Sequence, residues 1–334
     1  MKKNILIGFI ISGVFMFLAV RGINFSEVVR SFRSANYLYA VPILLIVLLV
    51  LFFRSYRWGI ILEPRIKYPQ WPLFIITAIG FMTISILPAR LGEFTRPFLV
   101  KQKSGIRISS TMATIVVERV FDLLTLMVVL GMVILTIPLP PEIFKAGLII
   151  LIIVLAVFVL LMLLVGKKEL SLKILNSIFD KLPGRVGSFI KNQLHAFIEG
   201  LEILPDVKKT LYVAFLSAII WGLLALSCYL MFFAFGLNDK LSIINAFALT
   251  VIIAIGVMLP AAPGFVGNYH YACVLGLKFF GVNEAAALSY AIALHFLQLI
   301  PVIGIGLVLL PSQKISLPAF IKKETTEIVQ EELK

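Results

Sequence analysis

The chain has 334 residues, of which 60% are hydrophobic and 14% are charged, and its mean hydropathy is +1.05. A soluble domain is roughly 45–50% apolar, so the composition excludes an ordinary soluble protein and indicates an integral membrane protein. The formal net charge is +13, but the positive residues lie between hydrophobic runs, where they orient helices and meet anionic headgroups. We therefore expect no nucleic-acid partner.

The N-terminal run resembles a signal sequence, because Lys2 and Lys3 precede an apolar segment over residues 5–20. That segment is long for the apolar part of a signal peptide, and Arg21 follows it without a clear cleavage site of small residues. We interpret it as an uncleaved first membrane helix.

Six apolar runs approach the roughly 20 residues that cross the hydrocarbon core of a bilayer. They cover residues 5–20, 37–53, 112–137, 146–165, 211–235 and 285–310. Pro301 is expected to kink the last run.

Two further apolar runs, 73–87 and 243–259, lead into the same tripeptide, Leu-Pro-Ala. A run of 15 residues is only about 22 Å long as a helix, and a second helix-like stretch follows each break, over 93–103 and 269–280. Two apolar helices broken at the same tripeptide, one in each half of the chain, predict discontinuous helices around a shared site.

Positive charge predicts the orientation, because loops rich in Lys and Arg stay in the cytoplasm. The longest hydrophilic segment, 166–209, is rich in both residues, whereas the link 138–142 has neither. Arg54 and Arg57 are assigned to a second cytoplasmic loop, and both termini are assigned to the cytoplasm. Arg21, Arg30 and Arg33 then lie on the outer side of the membrane. Phe25, Val28, Val29 and Phe32 in the same segment have the spacing of an interfacial amphipathic helix.

These assignments agree if the first broken hairpin enters from the cytoplasm and the second from the outer side. The predicted fold is an all-α polytopic membrane helix bundle with about six full spans and two oppositely oriented re-entrant or broken hairpins, an inverted repeat. If the hairpins span fully, the count becomes eight to ten helices. We expect one transmembrane domain over 1–311, with a cytoplasmic insertion at about 166–209 and a cytoplasmic polar tail over 312–334.

Six charged residues occur where a membrane helix would disfavour them. They are Arg90, Glu93 and Arg96 after the first break, and Glu118, Arg119 and Asp122 near the start of an apolar run. One reading is a buried network of ion pairs. The other is a phosphate site, since the planar guanidinium makes bidentate bonds to phosphate oxygens. Both hold if the carboxylates bind Arg119 while Arg90 and Arg96 face a cavity.

The second break is rich in residues that unwind a helix, namely Pro260, Pro263, Gly264 and Gly267. Asn268 is a plausible cap for the helix that follows, and the N-terminus of a helix favours anions. His270 in that helix and His295 in the last span are candidate ligand-binding residues. An intramembrane histidine is otherwise a hydrogen-bonding group of the core.

No sequence motif supplies a catalytic residue, a metal site or a cofactor site, and none is expected. Cys228 and Cys273 lie in apolar runs without a C-x-x-C or Cys/His cluster, so neither zinc nor a disulfide framework is supported.

The chain resembles the lysylphosphatidylglycerol synthase transmembrane-region family, also called the flippase-like or UPF0104 family. Its pattern, R-x-G-E-x-x-R, a Gly and then E-R-x-x-D, is matched by Arg90, Gly92, Glu93, Arg96, Gly105, Glu118, Arg119 and Asp122. A second signature, P-x-x-P-G-x-x-G, is matched by Pro260, Pro263, Gly264 and Gly267. The resemblance extends from about residue 5 to residue 311.

The resemblance implies a lipid-handling membrane protein. In the bifunctional synthases this region moves aminoacylated phosphatidylglycerol to the outer leaflet, and a separate soluble domain charges the lipid. After Leu310 this chain has only a short polar tail, so we do not expect lysyltransferase chemistry. Many relatives have an acidic residue where this chain has His270, and the exact headgroup is therefore not carried over.

We expect a flippase or transporter of the cell (inner) membrane that moves a phosphate-bearing lipid, aminoacylated or polyprenyl-linked, between leaflets. Its expected partners are membrane lipids, and a glycosyltransferase or another envelope enzyme is the candidate for a further partner. Three alternatives remain: an enzyme of the phosphatidylglycerol lysyltransferase type, a small-solute transporter with the same repeat, and an accessory protein to a glycosyltransferase.

Overall fold

A computed structural model describes residues 2–87, 92–137, 141–179, 184–201, 203–204, 206–259 and 262–313. Over these ranges the chain forms thirteen α-helices and no strand, which confirms the predicted all-α class. The polar tail lies outside the described residues from residue 314 onward.

The helices follow one another with short connections. They are α1 (Lys2–Val20), α2 (Phe25–Ser34), α3 (Ala40–Leu62), α4 (Gln70–Ile86), α5 (Thr95–Ser104), α6 (Ile108–Ile134), α7 (Pro141–Gly166), α8 (Lys168–Phe179), α9 (Gly184–Gly200), α10 (Val207–Ala234), α11 (Ile243–Met258), α12 (Asn268–Phe279) and α13 (Glu284–Leu309).

Each of the six predicted spans lies on a helix, namely α1, α3, α6, α7, α10 and α13. Within the described ranges, three helical segments are long and apolar enough to cross a membrane by themselves: Tyr37–Leu62, Val207–Ala234 and Glu284–Gln313. Helix α6 has 27 residues but carries three charges near its middle, Glu118, Arg119 and Asp122. The chain is therefore a bundle with several apolar spans, and the full count of six stays a prediction.

Helix α3 ends nine residues later than the predicted span, so Arg54 and Arg57 lie inside it. Their assignment to a cytoplasmic loop was wrong. The helix continues because Trp58, Ile61 and Leu62 extend its apolar face and are at most 1% exposed.

Helix α2 follows α1 after a bend of 80°. Its N-cap is Asn24, whose side chain accepts from the backbone N–H of Ser26 at 3.1 Å. Val28 is buried against the core, whereas Phe25 is 62% exposed. The predicted amphipathic helix is therefore present, and its position at a membrane interface stays a prediction.

The two predicted breaks are present. Helices α4 and α11 have 17 and 16 residues, about 26 and 24 Å, which is shorter than a hydrocarbon core of about 30 Å. The described residues that flank the two breaks approach each other, since a Cβ placed on Gly264 would be 3.9 Å from the carbonyl oxygen of Ser85 at the end of α4. That the two hairpins re-enter the membrane from opposite sides remains a prediction.

Candidate functional site

A buried ion-pair cluster joins α3, α5 and α6. Arg57 Nη1 donates to Asp122 Oδ1 at 2.6 Å and to Ser217 Oγ at 2.6 Å, and its Nη2 donates to Glu118 Oε1 at 3.5 Å. Arg57 is 1% exposed and Glu118 is 0% exposed. Because a buried charge is costly without a partner, these contacts hold α3 and α10 in place against α6.

Arg96 on α5 completes the cluster. Its Nη1 lies 2.7 Å from Glu118 Oε2 and forms an ion pair with that carboxylate. The guanidinium carbon lies 4.8 Å from the ring centroid of Trp58 and 5.3 Å from that of Phe81. Two aromatic faces therefore add cation–π attraction to the ion pair.

Gly80 makes room for this arginine. A Cβ at position 80 would lie 2.4 Å from Arg96 Cγ, a separation that side chains do not tolerate. The aliphatic part of Arg96 therefore lies directly on the backbone of α4.

Only one of the two predicted roles of the arginines is contradicted. Arg96 was expected to face a cavity, but it is 0% exposed and belongs to the buried network of ion pairs that was the alternative reading. Arg119 is held by a carboxylate as predicted, with Nη1 3.7 Å from Asp122 Oδ2, but its side chain is 39% exposed and also lines a cavity. Glu93 lines the same cavity. Arg90 lies outside the described residues.

Arg54 is a cavity residue that the sequence analysis missed. It lines the cavity one turn before Arg57, and its guanidinium carbon lies 4.5 Å from the ring centroid of Phe81. The available signal was the apolar stretch after Arg57, which shows that the helix does not end at the charges.

The cavity has a volume of about 480 Å³ and lies between α3, α4, α6, α10, α11, α12 and α13. One part of its wall carries Arg54, Glu93, Arg119 and Asp122, and another carries Tyr269, His295 and Gln298. The rest is largely apolar, with Ile46, Val50, Leu51, Leu126, Leu224, Ile253, Val257, Leu299 and Val302 among the lining residues. A wall of this kind suits a guest with a charged end and an apolar body.

The second break is pressed against α1. Gly267 has φ +90° and begins α12 as its N-cap, and a Cβ at that position would lie 2.1 Å from the carbonyl oxygen of Ser12. Ser12 Oγ accepts from the N–H of Ala262 at 2.7 Å and donates to Asn268 Oδ1 at 3.2 Å. The predicted helix start is thus confirmed to within one residue, because Asn268 is the first helical residue and not the cap.

The other predicted residues of this break are close together. Pro263 begins a 3-10 turn over Pro263–Phe265, in which Gly264 has φ +68°. His270 and His295 are buried, with ring centroids 4.8 Å apart. The two imidazoles therefore contact each other, and His295 also lines the cavity.

Comparisons with known proteins cover between 67% and nearly all of the chain. A family model described as lysylphosphatidylglycerol synthase TM region matches residues 5–306. A UPF0104 membrane protein of Methanothermobacter thermautotrophicus is 26% identical over 296 residues, covering 84% of this chain and 85% of the relative. A UPF0104 membrane protein of Methanocaldococcus jannaschii is 25% identical over 233 residues, covering 67% and 91%.

Proposed function

The chain belongs to the lysylphosphatidylglycerol synthase transmembrane-region family, and from that premise we propose that it moves a phosphate-bearing lipid between the leaflets of the cell membrane. The observation that carries the proposal is the cavity, whose lining combines two guanidiniums with a long apolar wall. A lipid has the same division, with an anionic phosphate at one end and acyl or polyprenyl chains at the other.

Arg54 and Arg119 are the proposed phosphate-binding residues. Both line the cavity, and each guanidinium can make two parallel hydrogen bonds to phosphate oxygens. Phe81 supports Arg54 from one side. Arg57 and Arg96 are instead engaged with Glu118 or Asp122 inside the cluster, so their proposed role is to hold the site together.

Glu93 and Asp122 add negative charge to the same wall. Asp122 accepts hydrogen bonds from Arg57 and from the indole N–H of Trp221, at 2.6 and 3.1 Å, and so positions Arg119 next to it. A headgroup with an amine as well as a phosphate, such as an aminoacylated one, fits a wall of mixed charge. Arg90, three residues before Glu93, is retained as a further candidate for headgroup binding.

The two broken hairpins are the proposed moving parts. In this scheme α4–α5 opens the cavity to the cytoplasmic leaflet and α11–α12 opens it to the outer leaflet, which is alternating access around one site. The orientation with both termini in the cytoplasm follows from the distribution of Lys and Arg. We expect one hairpin to become more exposed while the other closes.

Transfer of a labelled lipid tests the proposal. Proteoliposomes containing fluorescent phosphatidylglycerol are treated with an impermeant quencher, and the loss of inner-leaflet fluorescence gives the transfer rate. Replacing Arg54→Gln and Arg119→Gln together should reduce that rate at least about tenfold, since a hydrogen bond to a charged group contributes about 1.5–3 kcal/mol. The wild-type rate in the double variant would contradict the phosphate role.

Arg33→Gln on α2 is the matched control, because this exposed arginine lies outside the cavity lining and its loss should leave transfer unchanged.

Occupancy of the cavity by lipid can be measured separately with Cys228, which lines the cavity. Phosphatidylglycerol should slow maleimide labelling of Cys228, whereas Cys273, which is 0% exposed and outside the lining, should show no lipid dependence.

Adding lysyl-tRNA to the same vesicles tests the lysyltransferase alternative, which predicts new lysylated lipid.

A further inference from the structure

Two histidines meet next to the second break. His270 on α12 and His295 on α13 are 4% and 5% exposed, and their rings are 4.8 Å apart at an interplanar angle of 76°. His295 lines the cavity, whereas His270, three residues after the N-cap Gly267, is not one of the lining residues. A proton that arrives through the cavity therefore reaches His295 first.

The surroundings can accept one positive charge. The ring of Tyr269 stacks on His295 with centroids 4.3 Å apart, so an imidazolium at His295 would lie on an aromatic face, which attracts cations. The Tyr269 hydroxyl donates to Gln298 Oε1 at 3.2 Å, and this hydrogen bond holds the tyrosine ring in position. Two imidazoliums at this separation would repel each other, which limits the pair to one proton.

Other groups that face the pair are neutral or lie across the cavity. The titratable or charged groups on the packed elements are Tyr269 and Cys273 on α12, Tyr290 on α13, Cys228 on α10, and Arg54, Glu93, Arg119 and Asp122 on the opposite cavity wall. The ion pairs found in the described part of the chain do not include either imidazole. A charge on the pair is therefore stabilised by the hydrogen bond between His295 and the Gly264 backbone, and the remaining balance comes from whatever occupies the cavity.

The proton also has a structural consequence. His270 Nδ1 accepts from the backbone N–H of Gly267 at 3.4 Å, and a protonated imidazole has no acceptor nitrogen. A proton on His270 therefore removes this contact at the residue whose backbone is pressed against Ser12 of α1. A proton on His295 leaves the contact intact, so the two positions differ in how firmly the break is held.

We propose that His270 and His295 form a binding site for a single proton that is taken up together with an anionic headgroup. Burial by itself favours neutral imidazoles, and a nearby anion favours the charged form. The link to the headgroup rests on the proposed function. Its consequence is that a proton gradient across the membrane can drive the lipid, because the anion and the proton enter the cavity together.

The experiment uses the full chain in nanodiscs of phosphatidylcholine, with and without phosphatidylglycerol, and ¹⁵N-labelled histidine. The chain has three histidines, so their imidazole signals are easily followed between pH 4 and 8. With phosphatidylglycerol, the His270 and His295 signals should move together as one protonation, with a midpoint at least about one pH unit higher than in phosphatidylcholine alone.

Three variants assign and control the signals. His270→Gln and His295→Gln should each abolish the joint transition, with the remaining imidazole protonating alone, and His195→Gln on α9 should remove one signal and change nothing else. Neutral imidazoles in both lipids at every pH would overturn the proposal. Cys228 labelling on the same samples separates the two ideas. Lipid protection of Cys228 without a lipid-dependent protonation refutes the proton proposal alone. Protonation without protection contradicts both the joint uptake of proton and headgroup and the proposed function.

Discussion

The two broken hairpins use the same backbone device with different chemistry. In each, a glycine allows two backbones to touch: a Cβ on Gly92 would lie 2.2 Å from the backbone nitrogen of Ile84, and one on Gly267 would lie 2.1 Å from the carbonyl oxygen of Ser12. The first break delivers Arg96 to a buried network of charges. The second delivers His270 to a pair of imidazoles.

This difference predicts which break keeps its contacts during the motion and which break can change them. Ion pairs buried between helices must stay complete, because a charge that loses its partner inside the protein is strongly destabilising. Neutral rings and single hydrogen bonds can be exchanged at much smaller cost. We therefore call the first break anchored, because its ion pairs stay complete when the α4–α5 hairpin moves, and the second break adjustable, because its own contacts can change.

Removal of the central carboxylate should have the largest effect. Glu118→Gln leaves Arg96 without its ion-pair partner and weakens the hold on Arg57. We expect the free energy of unfolding to fall by about 3–5 kcal/mol, measured by thermal unfolding in detergent.

Glu63→Gln is the control for this variant. Glu63 also has a cationic partner, since it accepts from Lys209 Nζ at 2.6 Å and Lys209 holds the pKa of Glu63 below its usual range. That pair lies at the end of α3 in reach of solvent, which screens it, so the melting temperature should hardly change. Equal losses in the two variants would mean that burial does not distinguish the anchored break.

The contact between the second break and α1 should have an intermediate effect. Gly267→Ala combines a positive φ of +90° with a clash against Ser12. Strain of this kind costs about 1–3 kcal/mol. The expected results are a lower melting temperature and faster hydrogen exchange in residues 262–270.

Gly236→Ala separates strain from contact. Gly236 also has a positive φ, +63°, but a Cβ there would have no atom within 4 Å. The Gly236→Ala variant should therefore lose only the stability that the positive φ accounts for. If both glycine variants lose the same amount, close packing on α1 contributes nothing to the second break.

A matched pair of aromatic variants should give the smallest effect and sharpens the comparison. Tyr269→Phe keeps the stack on His295 and removes one hydrogen bond to Gln298, so we expect a loss of about 0.5–1.5 kcal/mol. Trp58→Phe removes the hydrogen bond to Thr114 and weakens the cation–π contact with Arg96. Trp58→Phe should lose more stability in thermal unfolding than Tyr269→Phe. The opposite order would assign the anchored role to the second break.

Much of the site was predictable as a set of residues but not as a set of roles. The positions of Glu118 and Asp122, four residues apart on one helix, predicted that they are neighbours, and both are in the cluster. That spacing carries no information about α3, whose Arg57 lies 65 residues before Asp122 and yet donates to it. An ion pair between helices depends on how each helix is rotated toward the other, which the pattern along a single helix does not contain.

The sequence by itself determined that this is an all-α membrane protein, that two apolar helices are broken, and that charged residues gather after the first break. It did so because apolar run length, helix-breaking residues and family signatures are local properties of the chain. Only the tertiary structure decided that Arg57 and Arg96 are buried while Arg54 and Arg119 line the cavity, and that His270 contacts His295. These outcomes depend on packing between helices distant in sequence, where each buried charge takes the partner that the fold brings within reach.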